Sequence, residues 1–385
     1  MNHGFTMEKP FGRIGGDSAL LGALFLLVGL GMASLYSASY GYAMSLGKSG
    51  GYFAFRQLMW LVPAVIAFGF GALVPLELLQ RFMVAIVLGS MVLLLLPFMP
   101  VIGISKNGAS RWFGYNGLMF QPSELFKVVL VLYLAHILSK KAEKLGDVIN
   151  GVFPPLLVAL VGAVIVLGQN DFSTAMLLGF LAIVMFWIAE VPVVFFAAMA
   201  SIGVPLVSLA VLTSDYRLKR VIGFLAPGFD PADLSYQVNG SLRAISAGGL
   251  WGKGLGQGTL KIRSIPLVQS DFVFSAWTEE TGFIGVLAFA ALWVFFLWRA
   301  FRASFAAPDS FRSHFAFGLA CYLAIQTLIN VMVASGAVPA TGIPLPFFSS
   351  GGSSLLSVSL AAGFLFNVSR SAATVSGGER QDGNV

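Results

Sequence analysis

"SHFAFGLACYLAIQTLINVMVASGAVPATGIPLPFFSSGGSSLLSVSLAAGFLFNVS", Ser313 to Ser369, contains no Asp, Glu, Lys or Arg. A helix needs roughly 20 apolar residues to cross the hydrocarbon of a bilayer, so this run holds two crossings and a connection. Proline and glycine crowd the connection, which suits a broken or re-entrant segment leading into the second crossing. The pattern recurs along the chain. Residues 18–47, 57–76, 82–105, 148–170, 172–189, 191–214 and 281–298 are also free of those four residue types. The chain is 57% hydrophobic and 10% charged, with a mean hydropathy of +0.85. A soluble interior is too small to bury so much apolar surface, so lipid must solvate it. Backbone in lipid must satisfy its own hydrogen bonds, which makes these runs helices; the alternation of a membrane barrel is absent.

The runs predict an all-α integral membrane protein with ten transmembrane helices, at about 19–37, 57–76, 82–99, 123–139, 152–169, 172–189, 191–213, 275–298, 314–335 and 353–369. Tight junctions fall at Gln169-Asn170-Asp171 and Glu190-Val191-Pro192, and Pro192 marks residues 192–200 as a candidate re-entrant stretch. The first run is too long for a signal peptide and is read as a retained helix. The fourth span carries Glu124 and Lys127, three apart and on one side, so an internal ion pair is the default. Together with Asp171 they could instead line a polar cavity. Cys321 cannot form an internal disulfide, and His3, His136 and His314 show no metal-ligand spacing.

Orientation follows from the short loops, because cytoplasmic segments collect Lys and Arg. With the N-terminus inside, inner segments carry Lys9, Arg13, Arg81, Lys140, Lys141, Lys144, Arg299, Arg302, Arg312, Arg370 and Arg380. The short outer segments carry Lys48, Arg56, Lys106 and Arg111. Both termini are then cytoplasmic: residues 1–18, a membrane domain at 19–370, and a tail at 371–385. The net charge of +6 fits loop orientation and anionic lipid, with no basic, aromatic-interleaved surface for nucleic acid. A large extracytoplasmic loop, about 214–274, lies between helices 7 and 8. It holds Arg217, Lys219, Arg220, Arg243, Lys253, Lys261 and Arg263 against Asp215, Asp230, Asp233 and Asp271. It also contains the glycine-dense "SAGGLWGKGLGQG", Ser246 to Gly258. One reading is a solvated loop. The other is a cradle in which backbone N–H groups and basic side chains hold an anionic lipid headgroup.

Four polar or glycine-rich islands interrupt the apolar runs. They are "NGASRWFGYNGLMFQPSELFKVV" (Asn107 to Val129), "GQNDFSTAMLL" (Gly168 to Leu178), the stretch from "DYRLKRVIGFLAPGFDPADLSYQ" (Asp215 to Gln237) through "SDFVFSAWTEETGFIG" (Ser270 to Gly285), and "PATGIPLPFFSSGGSSLL" (Pro339 to Leu356). In this order, over roughly residues 20–370, they resemble the SEDS family of shape, elongation, division and sporulation proteins. The family patterns are "GA.RW…QPSEL.K", "QPD.GTA", "YR..R…GGL.GKGLG.GTQK…HTDFIFA…EE.GF.G" and "TG.PLPF.SYGGSSLL". The chain departs from them at Gln269-Ser270 for His-Thr, Leu267-Val268 for Pro-Glu, Asn170 and Ser173 for Pro and Gly, Ser350 for Tyr, and Ala226 for Asp. These departures weaken any carry-over of auxiliary roles to the replaced positions. They leave Asp271, Arg217, Arg220, Lys253, Glu279 and Glu280 in place.

The resemblance implies a peptidoglycan glycosyltransferase of the bacterial cytoplasmic (inner) membrane. It would join lipid II disaccharide-pentapeptide units into glycan strands on the outer face, releasing undecaprenyl pyrophosphate. It would work with a class B penicillin-binding protein and with divisome or elongasome proteins. The aspartate of "HTDF", here Asp271, is implied as the catalytic carboxylate, and we read it as the base for the acceptor hydroxyl. The bland alternative for Asp271 is a helix-start residue complementing the dipole. Departing pyrophosphate needs cationic partners, with or without a divalent cation such as Mg or Mn. Arg217, Arg220 and Lys253 match the motif, and Arg111 could reach the same cavity. Glu279 and Glu280 fall in the first turns of the eighth span and must face a polar cavity or pair with a cation. A serine nucleophile among Ser349, Ser350, Ser353 and Ser354 is disfavoured, since no histidine base lies near. A lipid II flippase and a non-catalytic division scaffold are the alternative readings. "LYSASYGYAMSLGKSGGYFAFRQ", Leu35 to Gln57, leans to the division or sporulation type within the family.

Overall fold

The computed structural model describes residues 16–106, 108–115, 118–226, 236–259 and 268–382. Lys9, Arg13, Asp230, Asp233, Lys261, Arg263 and Leu267 lie outside them. Helices α1 (Ser18–Ser45), α2 (Tyr52–Leu73), the short α3 (Leu76–Arg81) and α4 (Met83–Leu95) come first. A three-stranded antiparallel sheet follows: β1 (Gly103–Lys106), β2 (Ala109–Tyr115) and β3 (Leu118–Phe120). Then come α5 (Pro122–Lys140), α6 (Phe153–Gly168), α7 (Phe172–Ile188), α8 (Val193–Leu212), α9 (Asp215–Leu225), α10 (Tyr236–Gly248), α11 (Val273–Phe305), α12 (Ser310–Ala334) and α13 (Gly352–Asp382). Among the described residues, eight helices are long and apolar enough to cross a membrane, and two shorter apolar ones, Met83–Phe98 and Phe172–Ile188, complete the ten expected positions.

The bundle centres on α5, which buries Phe126, Val128, Val131, Leu134 and Leu138 along most of its circumference. A helix that is apolar all round and enclosed by other helices needs no amphipathic stripe. At the other extreme, Phe195 is the buried residue of α8, which otherwise presents its side chains to lipid. α2 and α13 pack backbone to backbone through glycine. A Cβ on Gly71 would meet Leu360 O at 2.7 Å, and one on Gly363 would meet Phe68 O at 2.3 Å. Small residues at such crossings let van der Waals contact replace the missing hydrophobic drive between helices in lipid. The tight α6–α7 junction closes with Asn170 in the left-handed region (φ 59), as Asp171 N donates back to Val166 O at 3.2 Å.

Three local expectations are corrected. The charge-free run 82–105 ends in a strand: Gly103–Lys106, Ala109–Tyr115 and Leu118–Phe120 form a sheet in which Ile104 pairs with Trp112 and Phe113 with Phe120, beyond the span expected at 82–99. Residues 192–200 are not re-entrant. Pro192 caps the N-terminal end of α8, where its missing N–H costs nothing, and the helix continues. The eighth span starts at Val273 and is broken at Gly282 (φ 65, ψ −165), so Glu279 and Glu280 end one helix instead of beginning another.

The break at Gly282 is filled by the glycine-dense loop. Lys253 N and Gly254 N donate to Glu279 O and Glu280 O, both at 3.0 Å, while Phe283 N donates to Gly249 O at 2.9 Å and Ile284 N to Leu250 O at 3.2 Å. A Cβ on Gly282 would stand 2.3 Å from Gly252 N, and one on Gly252 2.1 Å from Glu280 O. Both glycines have positive φ, so no side chain suits either position. The amides of Lys253 and Gly254 therefore complete a helix break, so these two are not available to the anion cradle that is one of the two readings of this loop.

The connection between α12 and α13 is irregular and buried, as its prolines and glycines suggest. Ile343, Leu345, Phe347, Phe348 and Ser349 are all enclosed. Phe347 adopts φ 66, and its carbonyl would lie 2.3 Å from a Cβ on Gly31 of α1.

Candidate active site

The irregular connection and α12 together meet three successive carbonyls just before α11. Ser350 N donates to Gln269 O at 2.8 Å, Ser349 Oγ donates to Ser270 O, and Asn330 Nδ2 donates to Asp271 O at 3.0 Å. Asn330 Nδ2 also reaches Ile343 O at 2.8 Å, and Ser349 Oγ accepts from Leu345 N at 2.8 Å. The backbone under Asp271 is thus clamped from α12 and from the connection, which fixes the carboxylate without using its oxygens.

Asp271 keeps part of its surface open to solvent while protein crowds it on the other sides. Burial pushes its pKa up, and a hydrogen bond from the Ser270 side chain, then the charges of Arg220 and Arg111, pull against that rise. A carboxylate held above its ordinary range is a better base. Gly342 (φ +78) passes close by: a Cβ there would sit 3.8 Å from Asp271 Oδ2. Arg220 Nη1 donates to Ala340 O at 2.7 Å, and its guanidinium lies over the Tyr216 ring, 4.5 Å from the centroid. Arg220 also lines a groove with Phe224, Val238, Leu242 and Pro339.

Arg111 approaches from the sheet. It donates to Asn170 O, and its Nη1 lies 3.7 Å from Asp171 Oδ1. Asp171 caps α7 through Thr174 N at 3.3 Å and accepts from Gln121 Nε2 at 3.0 Å. Arg217 stacks on Phe172, 5.1 Å from the ring centroid, and donates to Ala210 O at 2.8 Å. Arg111 and Arg217 therefore meet the same helix start, at consecutive residues. Arg220 and Arg111 both act on Asp271.

Lys253, Glu279 and Glu280 form a different cluster. Lys253 Nζ lies 2.9 Å from Glu279 Oε1, which also accepts from Thr259 N at 2.9 Å. Glu280 Oε1 accepts from Ser37 Oγ of α1 at 2.5 Å. Lys253, a candidate for the pyrophosphate, is paired here with Glu279, which is the cation pairing that is one of the two readings of that carboxylate, and its turn bonds across the Gly282 break. Deeper in the bundle, Lys127 Nζ binds Glu124 Oε1 at 2.8 Å and Gln326 Oε1 at 2.9 Å, the internal pair expected from sequence. Among the described residues no group of three or more His, Cys, Asp or Glu could hold a metal ion.

Residues 18–374 match a family profile described as "Cell cycle protein", which covers FtsW, RodA and SpoVE. The chain belongs to this family. It is 37% identical over 355 residues to a Geobacter sp. (strain M18) protein named "Probable peptidoglycan glycosyltransferase FtsW", covering 92% of this chain and 97% of that one. It is 35% identical over 354 residues to "Stage V sporulation protein E" of Bacillus subtilis (strain 168), covering 92% and 97%. Its fold matches a chain of a peptidoglycan synthase complex at a TM-score of 0.75 and 28% identity, covering 93% and 98%. The rod shape determining protein RodA of Thermus thermophilus matches at a TM-score of 0.66 and 27% identity, covering 92% and 97%. The lean toward the division and sporulation type agrees with the names of these sequence relatives.

Against the FtsW/RodA/SpoVE pattern, Ser270 keeps the hydroxyl of the usual Thr and uses it on the Asp271 carboxylate. Gln269 replaces the usual His; the residue is 4% exposed, and its Oε1 has no hydrogen-bond partner among the described residues. Asn330 escaped the sequence reading. The available signal was a pair of polar residues, Gln326 and Asn330, four apart on one face of a charge-free run.

Proposed function

We propose that this protein polymerises lipid II, with Asp271 accepting the proton of the attacking sugar hydroxyl as the anomeric carbon releases undecaprenyl pyrophosphate. The observation that carries this reading is Asp271, a residue partly open to solvent, in a segment clamped through the carbonyls of Gln269, Ser270 and Asp271 and acted on by the charges of Arg220 and Arg111. Preorganised groups of this kind stabilise developing charge without reorganising during the reaction. Arg220 and Arg111, with Arg217 beside Phe172, are the candidates for the pyrophosphate. Lys253, Glu279 and Glu280 serve the helix behind them. A divalent cation such as Mg or Mn would ride on pyrophosphate oxygens, since Mg usually binds through one or two carboxylates plus substrate phosphates.

The reaction site faces the outer side of a bacterial cytoplasmic membrane, with both termini in the cytoplasm. Arg111, Asp171, Arg220, Asp271 and Ala340 converge at one end of the bundle. Asp17–Arg299 and Glu77–Arg312 pairs gather near the other helix ends, which supports that orientation. The partner we propose is a class B penicillin-binding protein within the divisome or elongasome. The structural neighbour from a complex that coordinates polymerisation and crosslinking supports this choice. A flippase is less well supported, because Lys127 and Glu124, buried charges of the bundle, are paired with each other, and Lys127 also with Gln326.

The test is polymerisation of purified lipid II by the protein with its cognate transpeptidase, wild type against Asp271→Asn, with and without a chelator. Glycan strands from wild type and none from a folded Asp271→Asn protein support the assignment. Wild-type product levels from the variant would remove it. Loss of product with chelator alone would assign the metal a part.

A further inference from the structure

The turn that fills the Gly282 break leaves its largest apolar side chains uncovered. Leu250 is 65% exposed, Trp251 80% and Leu255 71%. Such a cluster on a water-facing loop marks a surface that something else covers. The turn is not free to stand away from the bilayer. Gly249 O and Leu250 O accept from Phe283 N and Ile284 N, the first residues of α11 beyond the break. Phe283, Ile284 and Leu287 are themselves exposed at 52%, 45% and 53%, as expected of a lipid-facing helix. From Phe283 to Trp298 the chain has no Asp, Glu, Lys or Arg, and Arg299 follows. At ~1.5 Å per residue that stretch covers most of a hydrocarbon core, so the break falls at its edge. The apolar face of the turn therefore continues the lipid-facing surface of α11.

We propose that Leu250, Trp251 and Leu255 enter the interfacial layer of the bilayer, making residues 249–256 a lipid anchor. Tryptophan favours that layer, where its ring meets acyl chains and its N–H meets headgroups. Lys253 leaves about a third of its side chain exposed while its ammonium binds Glu279. A long aliphatic stem with its charge held away from lipid is compatible with this depth. Because the turn is bonded to Glu279, Glu280, Phe283 and Ile284, its depth fixes the height of the helix segment that begins just after Asp271.

The test uses the full chain with Cys321→Ala as background, reconstituted without partner in vesicles of phosphatidylethanolamine and phosphatidylglycerol. Spin labels are placed at Trp251→Cys and Leu255→Cys, with Gln257→Cys as the solvent-facing control on the same turn. At 251 and 255, collisions with oxygen should exceed those with a polar nickel reagent, and the order should reverse at 257. Nickel access at 251 and 255 equal to that at 257 overturns the proposal. So does a pattern in which both sites become shielded only after a partner protein is added, which would make this a protein-docking surface. As a label-free check, wild type and Trp251→Phe are compared in vesicles with lipids brominated near the headgroup. The emission lost with Trp251 should be quenched by the bromine; an unquenched difference overturns the anchor.

Discussion

Asp271 and Glu279 are eight residues apart in the same segment, yet the protein treats them in opposite ways. Around Asp271, a residue partly open to solvent, the hydrogen bonds from Asn330, Ser349 and Ser350 go to backbone carbonyls. Around Glu279, which is fully buried, the bonds go to the carboxylate itself, from Lys253 Nζ and Thr259 N. One acid is positioned and the other is consumed. The Glu279 carboxylate is tied down by an ammonium and a backbone amide, whereas the clamps from α12 and the connection hold Asp271 through its backbone and leave Ser270 as the hydroxyl on its carboxylate. The largest expected contrast follows. Asp271→Asn keeps shape and backbone bonds, so melting in detergent should stay near wild type while polymerisation falls by about 10²–10⁴, the usual worth of a general base. An active Asp271→Asn protein would break the comparison.

The helix break supplies the next test. Gly282 at φ 65, ψ −165 occupies a region open essentially to glycine, and its hypothetical Cβ already meets Gly252 N at 2.3 Å. Gly282→Val should cost upward of about 3 kcal/mol, combining backbone strain with displacement of the filling turn. Gly29→Ala, in α1 with nothing within 4 Å, should be neutral or slightly stabilising. Thermal melts of the two variants compare them directly. The Lys253–Glu279 pair should show a smaller effect. Lys253→Met takes the ammonium away from a buried carboxylate and should cost about 1–3 kcal/mol. Because Lys253 is a third exposed, the pair's own Coulomb gain is screened. Lys253→Met with Glu279→Gln should therefore recover much of the loss in a double-mutant cycle.

These contrasts also separate what the sequence could carry from what it could not. The ten apolar helices were legible because a bilayer demands a local property, a run without charge. The sheet was not, since an average over a window hides alternation; the hairpin signal was in the Asn-Gly pairs at 107–108 and 116–117. The break at Gly282 was invisible because a lone glycine in a helical pattern is ordinarily tolerated, and its cause lies some thirty positions upstream in Gly249–Gly254. Asp271 and its two arginines were reachable through the motifs. That Glu279 pairs with a cation is one of its two readings, but the identity of that cation as Lys253 was not legible, because it depends on which atoms the distant partners choose. Asn330 is the clearest case. Asn330→Ala frees Asp271 O and Ile343 O, and should lower kcat about 10–100-fold with KM little changed, through misplacement of the base. An effect confined to KM would assign Asn330 to substrate binding.

The smallest effect is the most diagnostic. Activity that needs ionised Asp271 rises as pH passes its pKa, so the acid limb of the kcat profile should lie above the ordinary aspartate range, because burial raises that pKa. Arg220 opposes the rise by favouring the charged form. Arg220→Gln removes a lowering influence, so Asp271 should hold its proton to higher pH and the acid limb should move further up. Lys253→Met makes the matching control: its ammonium is committed to Glu279, and the charges acting on Asp271 are those of Arg220 and Arg111. That variant should lose stability and leave the acid limb in place. If Lys253→Met moved the limb and Arg220→Gln did not, the assignment of cations to the two carboxylates would be reversed. Lys253 would then return to the reacting centre, and Arg220 would be reduced to a tie between α9 and Ala340.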